Sequence, residues 1–211
     1  MLRMRRSQCE IKDQEEILGV LRRARVGRLA TLDRDGYPYV TPVNFVFHEG
    51  CVYFHSAPEG EKLSNIERHD KVCFEVDEPL AYLEVNFNPE RNPCKTHQLY
   101  RCVIIKGRAR VLPEGPLKIE ALNALVAKHE GSACFAPVSL ESQAYKACAV
   151  VEVRPESMTG KADLLQGKPK EIRKQIAGLL AFRGLPADLE TVRAMGFDPE
   201  DPDLKDRSQR R

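Results

Sequence analysis

Val26 to Ser56 reads VGRLATLDRDGYPYVTPVNFVFHEGCVYFHS, and the reading of this stretch decides the fold. Three short runs rich in Val, Tyr, Phe and Thr are separated by DRDG and by EG. β-Branched and aromatic residues suit a pleated, half-buried surface. Asp35-Gly36 and Glu49-Gly50 supply the left-handed backbone positions that tight reversals need, because glycine has no Cβ to clash at positive φ. The stretch therefore predicts an antiparallel meander.

Upstream, Asp13 can accept from first-turn amides and Glu16 stands three residues on, a capping-box-like start to a helix whose Ile17, Leu21 and Ala24 share one face. Downstream, APEGEKLSNIERH breaks the strand pattern and predicts one short helix entered from a Gly-containing loop. Alternation returns in Lys71–Val76 and again through Val103, Ile105, Gly107, Ala109 and Val111, so each of these strands should bury one face. Asn86 to Thr96, rich in Asn and Pro, predicts an irregular loop. A helix over Pro116 to His129 and a last strand over Ala147 to Arg154 follow. Six or seven strands with few helices imply a closed or nearly closed antiparallel barrel, since closure removes exposed edges. After Lys161 the composition shifts to two amphipathic helices, over residues 168–182 and 187–195, and a charged tail, FDPEDPDLKDRSQRR, too poor in apolar residues to order itself. The expected organisation is a barrel domain over residues 11–161 and a helical extension over 162–211.

A chain of 211 residues suits one such core domain with an extension. Lys and Arg number 33 against 31 Asp and Glu, a net charge of +2, too balanced for nucleic acid as the principal partner. The seven cysteines include no CxxC pair, and four lie in apolar runs, so they read as reduced core residues. MLRMRR is basic, but the polar SQCEIKDQEE behind it lacks the apolar run of a signal peptide. No segment approaches membrane-spanning length. A cytoplasmic protein without a membrane partner is expected.

Three segments together offer a dry slot, hydrogen-bonding groups and a cation, which is what a phosphate-bearing aromatic cofactor requires. In Val40-Thr41-Pro42-Val43-Asn44 the mid-strand proline cannot donate to a ladder, so the strand is either unpaired toward a ligand or simply an edge. His55-Ser56-Ala57 ends a strand on polar side chains. Glu59-Gly60-Glu61-Lys62-Leu63 opens the short helix, where partly positive amides and the Lys62 ammonium can hold a phosphate.

The succession GRLATL, DGYPYVTPVNFVF, VYFHSAPEGEKLSNIERHDKVCFEV, VIIKGRARVL and VVEVRPESMTGK resembles the flavin-binding split β-barrels of the pyridoxamine 5'-phosphate oxidase-like superfamily, in particular the group related to nitroimidazole resistance. The resemblance runs from about Ile11 to Lys161. It implies a mainly β split barrel with flanking helices, a homodimer with FMN at the subunit interface, and an oxidoreductase that passes electrons from a nicotinamide donor to a small acceptor such as a nitro-aromatic compound. It also implies roles: Val40, Thr41, Pro42, Val43 and Asn44 line the ring and ribityl chain, His55, Ser56 and Ala57 border ring and phosphate arm, and Lys62, with Leu63 beside it, neutralises the phosphate. Many relatives carry arginine where Glu61 stands, which implies a weaker hold on the phosphate here. Haem or a deazaflavin is the alternative cofactor, and a non-catalytic flavin- or haem-binding protein the alternative function. His55 is the candidate catalytic residue, as a proton donor at the ring edge, or else holds a turn. His48, Cys51 and His55 lack a fourth metal ligand, and Cys94-x-x-His97 lacks a second pair, so no metal site is expected. No nucleophile elbow supports Ser/His/Asp hydrolysis.

Overall fold

The computed structural model describes residues 4–131 and 134–205. Along it lie β1 (Glu10–Ile11), α1 (Gln14–Arg23), β2 (Val26–Leu32), β3 (Pro38–Asn44), β4 (Val46–His48), β5 (Cys51–Ser56), α2 (Glu61–Arg68), β6 (Lys71–Leu83) and β7 (His97–Val111). They are followed by α3 (Pro116–Glu130), α4 (Gln143–Ala147), β8 (Ala149–Asp163), α5 (Lys170–Arg183), α6 (Pro186–Ala194) and α7 (Pro202–Lys205). The last six residues of the charged tail lie outside the described residues. The chain groups into two units: Asp13–Val76 with Val103–Thr159, and Met1–Lys12 with Asp77–Cys102 and Gly160–Arg211.

In the first of these units the meander forms as the pattern dictates. Asp13 caps α1 by accepting from the Glu15 amide at 2.9 Å, and Gly36 and Gly50 take φ of 87° and 78° at the two reversals. β2 pairs antiparallel with β3 on one side and with β6 on the other, while β5 lies between β4 and β8. The hydrogen-bonded order is β3-β2-β6-β7-β8-β5-β4. Its two end strands are joined through the single residue Phe45, so the sheet has to curl back on itself. The result is a split β-barrel, mainly antiparallel, with flanking helices.

Alternation fills the barrel. Leu29, Phe45, Val52, Phe54, Phe74, Val76, Val103, Ile105, Val151 and Val153 are fully buried. Phe45 and Phe74 meet edge to face with centroids 5.0 Å apart, the arrangement favoured by the ring quadrupoles. Gly27 lies under the Phe74 ring, which a Cβ there would approach to 2.1 Å. Val111, expected on the inner face, is instead 44% exposed at the end of β7. The final strand also runs beyond its expected stop at Arg154, through Pro155 to Asp163. Gly107 of β7 sits so close to this point that an added Cβ would meet the Arg154 carbonyl at 2.2 Å, so a glycine makes the close approach of the two strands possible.

In the other unit, β1 pairs with the end of β8 through Glu10 with Lys161 and Ile11 with Gly160. The two helices expected near residues 168–182 and 187–195 are α5 and α6. Arg183 binds them together by donating to both oxygens of fully buried Asp188, at 2.8 and 2.6 Å, and to Glu84 at 2.6 Å. Thr191 accepts from the Ala81 amide at 2.8 Å. The expected loop over Asn86 to Thr96 contains only short 3-10 turns. All seven cysteines are free, but Cys94 and Cys134 are exposed rather than part of a core. Among the described residues no helix is long and apolar enough to cross a membrane.

Candidate functional site

β3 is an edge strand, paired among the described residues only with β2, and its five candidate residues divide between two faces. Thr41 and Val43 stand opposite Leu29 and Gly27 and share their inward face, whereas Val40, Pro42 and Asn44 are exposed on the outer face. Only backbone atoms can present all five to one ligand, because successive strand side chains point to opposite sides. The Thr41 hydroxyl is buried with no hydrogen-bond partner among the described residues, a state rare enough in folded proteins to require a reason. Pro42 sits where a missing N–H does least harm, on an outer strand.

β5 begins fully buried and ends open: Cys51 to Phe54 are buried, His55 is exposed and Ser56 half-buried. Ser56 turns its hydroxyl onto the Ala57 carbonyl at 2.8 Å. β3 and β5 approach one another, and α2 packs on β2, the strand that pairs with β3, all within one unit. α2 starts after Gly60, whose φ of 136° suits glycine, and no side chain caps its first turn. Lys62 is half-buried and makes no ion pair among the described residues. Leu63 is buried and lines a cleft along α2 together with Glu59 and Gly60.

Residues that the sequence reading passed over hold this corner rigid. Asn65, wholly buried, donates to the Thr31 hydroxyl at 3.0 Å and accepts from both terminal nitrogens of Arg68, at 3.2 and 3.1 Å. Glu152, 3% exposed, accepts from the Tyr53 hydroxyl at 3.2 Å and from Arg110 Nε at 2.5 Å. Burial pushes the Glu152 carboxyl up, but the Arg110 hydrogen bond and charge outweigh it and hold the group below its ordinary range. Burial, with Cys51 and Glu152 nearby, raises the Tyr53 hydroxyl. The signal was present in the sequence: a lone carboxylate within the apolar run AVVEV requires a buried cationic or hydrogen-bonding partner. His48 of β4 is bound to Glu120 of α3 at 2.6 Å.

The architecture, a mainly antiparallel split barrel with flanking helices, defines the class of scaffold. The chain belongs to the pyridoxamine 5'-phosphate oxidase family, whose model matches residues 13–162. It is 33% identical over 106 residues to a 5a,11a-dehydrotetracycline/5a,11a-dehydrooxytetracycline reductase of Streptomyces rimosus, a match covering 48% of this chain and 65% of that protein, less than two thirds of its length. Among solved structures it resembles a candidate 5-nitroimidazole antibiotic resistance protein from Bacteroides thetaiotaomicron, with a TM-score of 0.61 and 24% identity over 72% of this chain and 86% of the other. The flavocytochrome Anf3 from Azotobacter vinelandii is similar with a TM-score of 0.62 and 21% identity over 76% of this chain and 72% of that one.

Proposed function

We propose that this chain is a cytoplasmic flavoprotein that holds FMN where β3, the end of β5 and the first turn of α2 converge, and passes reducing equivalents from a nicotinamide nucleotide to a small acceptor such as a nitro-aromatic compound. The observation that carries this reading is the uncapped first turn of α2 with the unpaired Lys62 ammonium beside it, a ready seat for a phosphate. The orphaned, buried Thr41 hydroxyl on the neighbouring edge strand fits the polar rim of a flavin ring. The seven free cysteines suit a reducing compartment.

When bound, the flavin supplies hydride chemistry that side chains lack. The protein's own part is to neutralise the phosphate with Lys62, to line one side of the ring with the backbone of Val40 to Asn44, and to place a proton at His55. Dimerisation belongs to the same reading. The free edge of β3 and its exposed Val40 and Pro42, with Tyr37 71% exposed in the preceding turn, offer a second copy an unpaired, partly apolar face. A second reading, flavin or haem binding without turnover, draws on the names of similar structures, which include a FAD and haem binding protein from Mycobacterium smegmatis.

Absorbance of the purified protein tests both. Yellow bands that bleach with a nicotinamide donor support the reductase, yellow bands that no donor bleaches support binding alone, and a Soret band replaces flavin with haem. His55→Ala should lower kcat more than it weakens flavin binding if the imidazole delivers a proton; equal losses would make it a positioning residue.

A further inference from the structure

A cleft of about 630 Å³ opens along α2, between the helix with its leading loop and the end of β7. Its volume falls within the range of roughly 300–1,000 Å³ typical of small-molecule sites. The floor is apolar: Leu63, Ile66 and Ala109 are each at least nine-tenths buried, and Val111 stands at the rim, 44% exposed. That exposure departs from the strand's alternation and gives the cleft a second apolar wall.

The polar groups around this floor are sorted by their partners. Asp70 is spent, because Arg108 binds both its oxygens at 2.9 and 2.8 Å. Glu59 and Glu67, on the helix side, make no ion pair among the described residues. On the strand side, Arg110 is anchored through Nε to buried Glu152, which is itself held by the Tyr53 hydroxyl, and this leaves the two terminal guanidinium nitrogens for another acceptor. A guanidinium oriented by a buried carboxylate is pre-organised for a phosphate or carboxylate, and less entropy is lost when the anion arrives. Free carboxylates opposite it suit the hydroxyls of a ribose.

We infer that this cleft is a second ligand site, for a nucleoside 5'-phosphate: the phosphate on Arg110, the base on the apolar floor, and the ribose hydroxyls on Glu67. Glu152 is a positioning residue that aims Arg110. The site shares Glu59, Gly60 and Leu63 at the start of α2 with the segment assigned to the flavin, but its anchor, Arg110, is separate, and Lys62 and the candidate residues of β3 and β5 do not line it.

Titration of the full-length protein with adenosine 5'-monophosphate, followed by calorimetry, tests the inference. Saturable binding that Arg110→Ala weakens at least tenfold is expected, with Arg110→Lys intermediate because it keeps the charge and loses the fork. Glu67→Gln should narrow the preference for the ribonucleotide over its 2'-deoxy analogue. FMN affinity, measured separately by fluorescence quenching, should be unchanged in Arg110→Lys and Glu67→Gln. No saturable binding at millimolar nucleotide, binding indifferent to Arg110, or displacement of the nucleotide by FMN would each overturn the proposal, and none of these results depends on whether Lys62 binds a flavin.

Discussion

Two sides of the same helix differ in how their polar groups are satisfied. Asn65, on the inner side of α2, has both its amide nitrogen and its amide oxygen engaged, by Thr31 and Arg68, in a wholly buried setting. Lys62, less than one turn earlier, has no ion-pair partner among the described residues, and the first turn around it has no side-chain cap. A buried polar group without a partner costs on the order of 1–3 kcal/mol, so folding satisfies the inner side outright. The outer corner escapes that cost by staying hydrated, and it remains available to a ligand. Within one element, satisfied groups hold the architecture and open ones stay in contact with water.

The contrast yields measurements that can break it. The largest effect is expected at another fully satisfied group. Asp188→Ala leaves the Arg183 guanidinium with Glu84 and the Tyr82 carbonyl and removes its ion-pair tie from α5 to α6. Breaking a buried pair in this way should cost about 3–5 kcal/mol in urea unfolding. A loss below 1 kcal/mol would show that the pair is not architectural. Asn65→Ala should cost about 1–3 kcal/mol of stability by removing the buried donor to the Thr31 hydroxyl and the acceptor for Arg68. Lys62→Ala should do the reverse: unfolding shifts by no more than about 0.5 kcal/mol, while flavin affinity falls by about 1–3 kcal/mol, read by fluorescence titration. If Lys62→Ala destabilised the fold as much as Asn65→Ala, the distinction between the two sides of α2 would collapse.

The smallest effect concerns Lys128, which is partly buried with its amine 3.7 Å over the Phe45 ring and donates to the Leu21 carbonyl at 2.9 Å. Burial, assisted by Arg25, lowers its pKa to about 8. The unfolded chain holds the proton up to the ordinary value of about 10.4. Below both values the group is charged in either state and contributes no slope; between them the unfolded state binds more protons, so stability should rise with pH. Lys128→Met should flatten that rise in unfolding curves taken across the window. An unchanged slope would assign the alkaline dependence elsewhere.

Much of the architecture was legible in the residues. The two Gly-containing turns, the alternation of Val72, Phe74 and Val76, and the breaker-rich stretch before Lys62 are local signals, and local sterics enforce them within a few residues. Strand ends were harder. β6 and β8 continue past Pro79 and Pro155, because a proline stops a strand only where its missing N–H is needed, and pairing with distant strands decides that. The split of Val40 to Asn44 between two faces follows from alternation, but which face is inward depended on β2 lying alongside.

The sequence by itself determined most of the elements and the meander order, since each of these is written in neighbouring residues. Tertiary structure alone decided which polar groups found partners. Asn65 met Thr31 across 34 positions, Tyr53 met Glu152 across 99, and Asp70 was claimed by Arg108 across 38, while Lys62 and the Thr41 hydroxyl were left over. Burial and pairing are properties of the space around a group, and that space is built by residues far away along the chain.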